Sequence, residues 1–224
     1  DSDDLSRILA RIKSYDGDLM DQNTRINLIQ TSFNYALRIG DVDLACLYLE
    51  EYKALVDKAS EDTRADVMKI YQIYEVQYYD RAGRYRDAAE SMEKTLGEEQ
   101  TQVEFLVSCA RILYYYAFDG DREKVESYRQ RISGFENTEG ITPETWAMIR
   151  SYMRMAFSEL GMYEDALEQM DEIEKSGVKD EWFNLYKGSL LHKLGRNEEA
   201  LEYFVLQLQV SGEKYGKDSR RYAD

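Results

Sequence analysis

A glycine, an alanine five residues on and a large apolar side chain four beyond that recur four times in this chain. The stretches are "LRIGDVDLACLYL" (37–49), "DRAGRYRDAAESM" (80–92), "SELGMYEDALEQM" (158–170) and "LHKLGRNEEALEYF" (191–204). They align Gly40, Ala45 and Leu49 with Gly83, Ala88 and Met92, with Gly161, Ala166 and Met170, and with Gly195, Ala200 and Phe204. By chance about one of the 13 glycines would meet one of the 16 alanines at that distance, so four matches make an internal repeat. A fifth site, "AFDGDREKVESYR" (117–129), keeps Gly120 but places Val125 and Arg129 at the other two positions. It reads as a degenerate unit.

The pattern constrains the fold because it describes two antiparallel helices in close contact. Glycine accepts the left-handed conformation that ends the first helix. The small alanine, one turn into the second, lets the backbones approach, and the apolar residue a turn later fills the groove with the next unit. An alanine alone is only a good helix former, so the repetition carries the reading. A single proline and 33% charged residues agree with long helices that keep solvated faces. Apolar spacing and caps predict helix pairs over 21–39 and 42–58, 62–82 and 85–96, 100–118 and 121–134, 143–160 and 163–175, and 180–194 and 197–212. An N-terminal helix over 3–15 and the start of another over 218–224 complete an all-α, single-domain expectation for 1–224. Thr142 followed by Pro143 is a helix start, and "SGFENTEG" (133–140) is the expected loop.

The glycines stand 43, 37, 41 and 34 residues apart, the last being the period of the tetratricopeptide repeat. "GSLLHKLGRNEEALEYF" resembles that family's unit, with Gly188 and Gly195 at small-residue sites and Ala200 and Phe204 following. The resemblance covers about residues 21 to 213, departs at Val125 and Arg129, and lacks the proline that often closes a unit. It implies a right-handed superhelical array, an α-solenoid, whose first helices line a concave groove. Counting back from each alanine then assigns the inward positions. They are Asn27, Gln30, Asn34 and Arg38 in the first unit, Gln77, Asp80 and Arg81 in the second, and Tyr114 in the third. Ser151 and Met155 follow in the fourth, and Ser189, His192 and Lys193 in the fifth. An amide-rich, mixed-charge groove suits an extended peptide, whose backbone groups need partners. The subclass that grips a chaperone's C-terminal carboxylate expects a lysine where Gln30 stands, and is rejected.

Composition removes other classes. A formal net charge of −15 repels phosphate backbones and anionic membranes, so nucleic acid is not the expected direct ligand. No run approaches the ~20 apolar residues of a membrane span. Cys46 and Cys109 lack zinc-site spacing and read as buried free thiols. With one histidine, His192, and no phosphate-binding glycine loop, neither an enzyme nor a cofactor or metal site is expected. The acidic second helices, with Glu93, Asp165, Asp171 and Glu172 among them, read as a solvated face. The function expected is a non-catalytic scaffold that binds a protein or peptide in its groove. The alternatives are a sensor or regulatory domain of a larger protein and self-association through the terminal repeat. Free cysteines and the lack of a leader favour the cytoplasm, whereas a removed signal peptide would place the chain in the periplasm or outside the cell.

Overall fold

The computed structural model describes residues 22–97, 100–135 and 140–216, so the helices expected over 3–15 and 218–224 lie outside the described residues. Among those described there are ten helices and no strand. In chain order they are α1 (Gln22–Ile39), α2 (Val42–Lys58), α3 (Glu61–Arg81), α4 (Tyr85–Glu93) and α5 (Gln102–Phe118), followed by α6 (Arg122–Ser133), α7 (Pro143–Glu159), α8 (Tyr163–Ser176), α9 (Phe183–Lys193) and α10 (Asn197–Tyr215). The chain divides into two compact units, 1–91 and 92–224, with the boundary inside α4. In the first, α2 packs against both α1 and α3. In the second, α5 packs against α6 and α7, α7 against α8, and α9 against α8 and α10.

All five glycine sites make one backbone turn. Gly40, Gly83, Gly120, Gly161 and Gly195 have φ between +67° and +83°. In each case the next N–H donates back across the turn to the residue five before it. The bonds run from Asp41 to Ala36, Arg84 to Tyr79, Asp121 to Tyr116, Met162 to Phe157 and Arg196 to Leu191, at 2.8–2.9 Å. This is the six-to-one bond of a Schellman closure, which satisfies a carbonyl the helix leaves orphaned. The degenerate unit obeys the same backbone rule, and there Asp121 also caps α6 by accepting from the Lys124 N–H. Thr142 caps α7 with Pro143 in its first turn, as the sequence predicts.

The residues after the glycines do what close packing requires. Ala45, Ala88, Val125, Ala166 and Ala200 are all buried. Arg129 explains how the degenerate unit survives: its guanidinium lies 5.1 Å from the Phe157 ring centre and 2.7 Å from Asp165. An aliphatic stem and a paired head thus replace an apolar side chain. In the first unit the core gathers Ile29, Phe33, Ala36, Tyr48, Tyr52 and Val56, with Tyr52 stacked on Tyr71 at 6.4 Å. Tyr115 and Tyr116 are buried in the second, as packing rather than recognition.

Three differences from the sequence reading have local causes. α9 begins at Phe183 rather than near 180, because the Asp180 carboxylate accepts the Trp182 N–H and holds a turn there. α10 continues to Tyr215. Cys109 is buried but Cys46, one residue from the buried Ala45 and so turned about 100° round the helix, is only half-buried.

At Gly188 a Cβ would lie 2.7 Å from the Phe204 ring and 3.2 Å from the Ala200 carbonyl oxygen. Gly188→Ala gains up to about 1 kcal/mol of helix propensity but forces α9 from α10, an overpacking cost of about 1–3 kcal/mol. Net destabilisation of about 1 kcal/mol is expected in urea titrations, and a stabilised variant would show that this contact is slack.

Candidate functional site

The inward positions named from the sequence fall in both compact units and differ in exposure and partners. On α1, Asn27, Asn34 and Arg38 are exposed, while Gln30 is half-buried and donates at 3.4 Å to the Tyr52 hydroxyl of α2. On α3, Gln77 and Arg81 are exposed and Asp80 is half-buried. In the second unit, the Tyr114 ring packs on Phe118 and on Tyr152 of α7, at 4.5 and 5.9 Å. Met155 is half-buried, and Ser189 donates its hydroxyl to the Leu185 carbonyl of its own helix. His192 and Lys193 are exposed at the end of α9. The imidazole Nδ1 lies 2.8 Å from Asn197 Oδ1 and the ammonium 4.8 Å from the Tyr163 ring centre.

Ser151 lines a cavity of about 260 Å³ that lies wholly within the second unit. Its wall on α7 is Glu144, Ala147, Met148, Ser151 and Arg154, residues three to four apart and so on one face of the helix. Met170 and Ile173 of α8, Val178, Lys179 and Asp180 of the following turn, and Phe183 and Tyr186 of α9 complete the lining. The opening exists because α9 packs against α8 and α10 but not closely along α7, whereas α7 is packed against α5 and α8.

The cavity's charges are unequally committed. The Lys179 ammonium is 2.7 Å from Glu174 and 4.7 Å from the Phe183 ring centre. Arg154 sits over the Tyr186 ring at 4.3 Å, and burial lowers its pKa by opposing the charged form, against the weaker pull of Tyr186 and Asp180. No carboxylate lies within 4.0 Å of it among the described residues.

Behind the cavity wall, a charge cluster ties α8, α9 and α10 together. The buried Lys187 lies 2.6 Å from Asp171 and 2.5 Å from Glu174, and the Tyr203 hydroxyl donates to Glu174 at 3.1 Å. Burial by itself would raise the Glu174 carboxyl, but hydrogen bonds from Lys179, Lys187 and Tyr203 outweigh it and hold the group down to about 2. Several acidic residues of the expected solvated face are engaged in this way. Asp171 and Glu172 are half-buried and ion-paired, and Glu93 accepts from Lys124 and Tyr128.

The remaining reactive groups offer little chemistry. Burial pushes the Cys109 thiol up to about 11, far from a thiolate at neutral pH. Among the described residues no group of three or more His, Cys, Asp or Glu is placed to hold a metal, and no helix is long and apolar enough to cross a membrane.

Arg154, Phe183 and Tyr186 were not legible as site residues. Arg154 lies three residues beyond Ser151 and shares its face, a spacing that could have flagged it. Nothing local marks the aromatic pair, which reaches the cavity from the next hairpin. The chain matches no family model, and no curated protein or solved structure is significantly similar to it.

Proposed function

We propose that this protein is a non-catalytic binding module, a tetratricopeptide-like array of helical hairpins that holds a segment of a peptide or protein in the cavity between α7 and α9. The observation that carries the reading is the cavity itself. It lies on the face of α7 that the repeat register assigns inward, at Ser151, and it is walled by apolar and charged side chains together. Its volume of about 260 Å³ falls just below the roughly 300–1,000 Å³ of sites that enclose a whole small molecule. One large side chain and its flanking backbone fit that space better than a cofactor does. The repeated glycine closures and buried alanines support a stack of equivalent hairpins, the architecture that builds extended recognition surfaces. A net charge of −15 argues against nucleic acid as the ligand.

The test is selection of displayed random peptides on the full chain, with affinities then measured by fluorescence anisotropy. Ser151→Trp fills the cavity from a half-buried position and is expected to weaken selected peptides at least about tenfold with an unchanged melting temperature, because the side chain's space is taken. Failure to select any peptide, or equal binding by the variant, would remove the cavity as the site.

A further inference from the structure

The last described helix, α10, divides its residues unusually between the fold and solvent. Its first turns pack as a hairpin helix should, with Ala200 buried and the Phe204 ring against Gly188. Beyond Phe204 the buried positions are polar. They are Gln207 and Ser211, and the Gln207 amide donates to the Glu181 carbonyl at 3.0 Å and to the Ser211 hydroxyl at 3.3 Å. Leu201, Val205 and Leu208 of the same helix are 63%, 45% and 48% exposed, against 8% for Gln207. A helix that sinks an amide and leaves two leucines and a valine in water has an outer face that its own hairpin does not explain.

That face is ordered by spacing. Leu201, Val205 and Leu208 follow one another at intervals of four and three residues and so form a single stripe along the helix. At about 100° per residue, Glu198, Glu202 and Glu213 fall on a ridge roughly a quarter-turn round from it. All three are exposed and make no ion pair among the described residues. The helix's one cation, Lys214, is held by Glu181. Charge then selects the occupant. A second copy of this chain would bring the same acidic ridge and a further net charge of −15 to the contact, and an anionic membrane is repelled for the same reason. A helix whose apolar face is bordered by lysine or arginine satisfies the stripe and the ridge together.

We infer that the outer face of α10 docks a basic amphipathic helix of a partner protein. Leu201, Val205 and Leu208 receive its apolar anchors, and Glu198, Glu202 and Glu213 face its cations. None of these six residues lines the cavity between α7 and α9, so the two surfaces are distinct.

The probe is an acetylated, amidated peptide of leucine and lysine about five helical turns long, with leucines at i, i+3, i+4 and i+7. Its controls are a scramble of the same composition with no leucine face, and the same pattern with glutamate in place of lysine. Each is titrated into the full chain at pH 7 and followed by fluorescence anisotropy. The patterned lysine peptide is expected to bind at least about tenfold more tightly than either control, with an affinity that falls as salt is raised. The double variant Leu201→Gln with Leu208→Gln, at exposed positions, is expected to lose the preference for pattern without a change in melting temperature. Glu198→Gln with Glu202→Gln is expected to weaken binding and flatten its salt dependence. Equal binding of patterned and scrambled peptides by the wild-type chain overturns the inference and needs no variant. So does full preference retained in the folded leucine variant. A wild-type dimer in sedimentation equilibrium that the leucine variant abolishes would give the face to a second copy instead. Nuclear Overhauser contacts from the Leu201 or Leu208 methyls to the Tyr222 ring in the free chain would give it to the chain's own end.

Discussion

Phe157→Ala is expected to lower the free energy of unfolding by about 3–5 kcal/mol, the cost of removing a fully buried aromatic ring and leaving its cavity. The ring is 0% exposed, and its residue's carbonyl accepts the Met162 N–H that closes the hinge at Gly161. On one side it meets the Arg129 guanidinium, so truncation also strips the degenerate unit of the surface that lets an arginine occupy an apolar position. A domain's whole stability is about 5–15 kcal/mol, so this single change takes a large share of it. Urea titration followed by circular dichroism measures the loss. Leu201→Ala provides the contrast: at a residue 63% exposed, it should change stability by less than about 0.5 kcal/mol. A Phe157→Ala cost no larger than that of Leu201→Ala would mean that the core does not depend on this hairpin interface.

Lys187→Met is expected to cost about 2 kcal/mol at pH 7. Removing one partner from a fully buried ion pair costs about 3–5 kcal/mol, but Asp171 and Glu174 keep 47% and 33% of their side chains exposed, so water screens part of the loss. The pH dependence carries a definite sign. Glu174 is held below its usual 4.5, at about 2, so its contribution is fully present above about 4.5 and disappears as pH falls towards 2. For Lys187, burial pulls the pKa down but Asp171, Glu174 and Tyr203 raise it above the usual 10.5, so its contribution is complete below 10.5 and is lost as pH rises through the folded value. Wild-type stability from this cluster should therefore be level between about pH 5 and 10. In Lys187→Met, Lys179 and Tyr203 alone hold Glu174, so the acid loss begins at higher pH and the two proteins converge once the carboxylates are protonated. A gap that persists unchanged at pH 2 would show that the lysine stem, rather than its charge, supplies the stability.

The hinges were legible because they are local. Gly40, Gly83, Gly120, Gly161 and Gly195 need only their own chain neighbours to close a helix, and the buried alanines follow from that closure one turn later. Helix boundaries came within about three residues for the same reason, since caps such as Thr142 act on backbone three residues away. Of the cavity's lining, the sequence reading had named Ser151. Counting within one unit finds a helix face, but a cavity depends on how far the next hairpin stands away.

Composition and spacing by themselves thus determined an all-helical chain of glycine-closed hairpins packed through small residues. The tertiary structure alone decided that α9 leans on α8 and α10 instead of along α7, and that Tyr186, 32 positions from Arg154, covers its guanidinium without neutralising it. Helix closure is a matter of hydrogen bonds a few residues apart, so sequence encodes it directly. The separation of two helices is the sum of every side chain packed between and behind them, and no short stretch of sequence contains that sum.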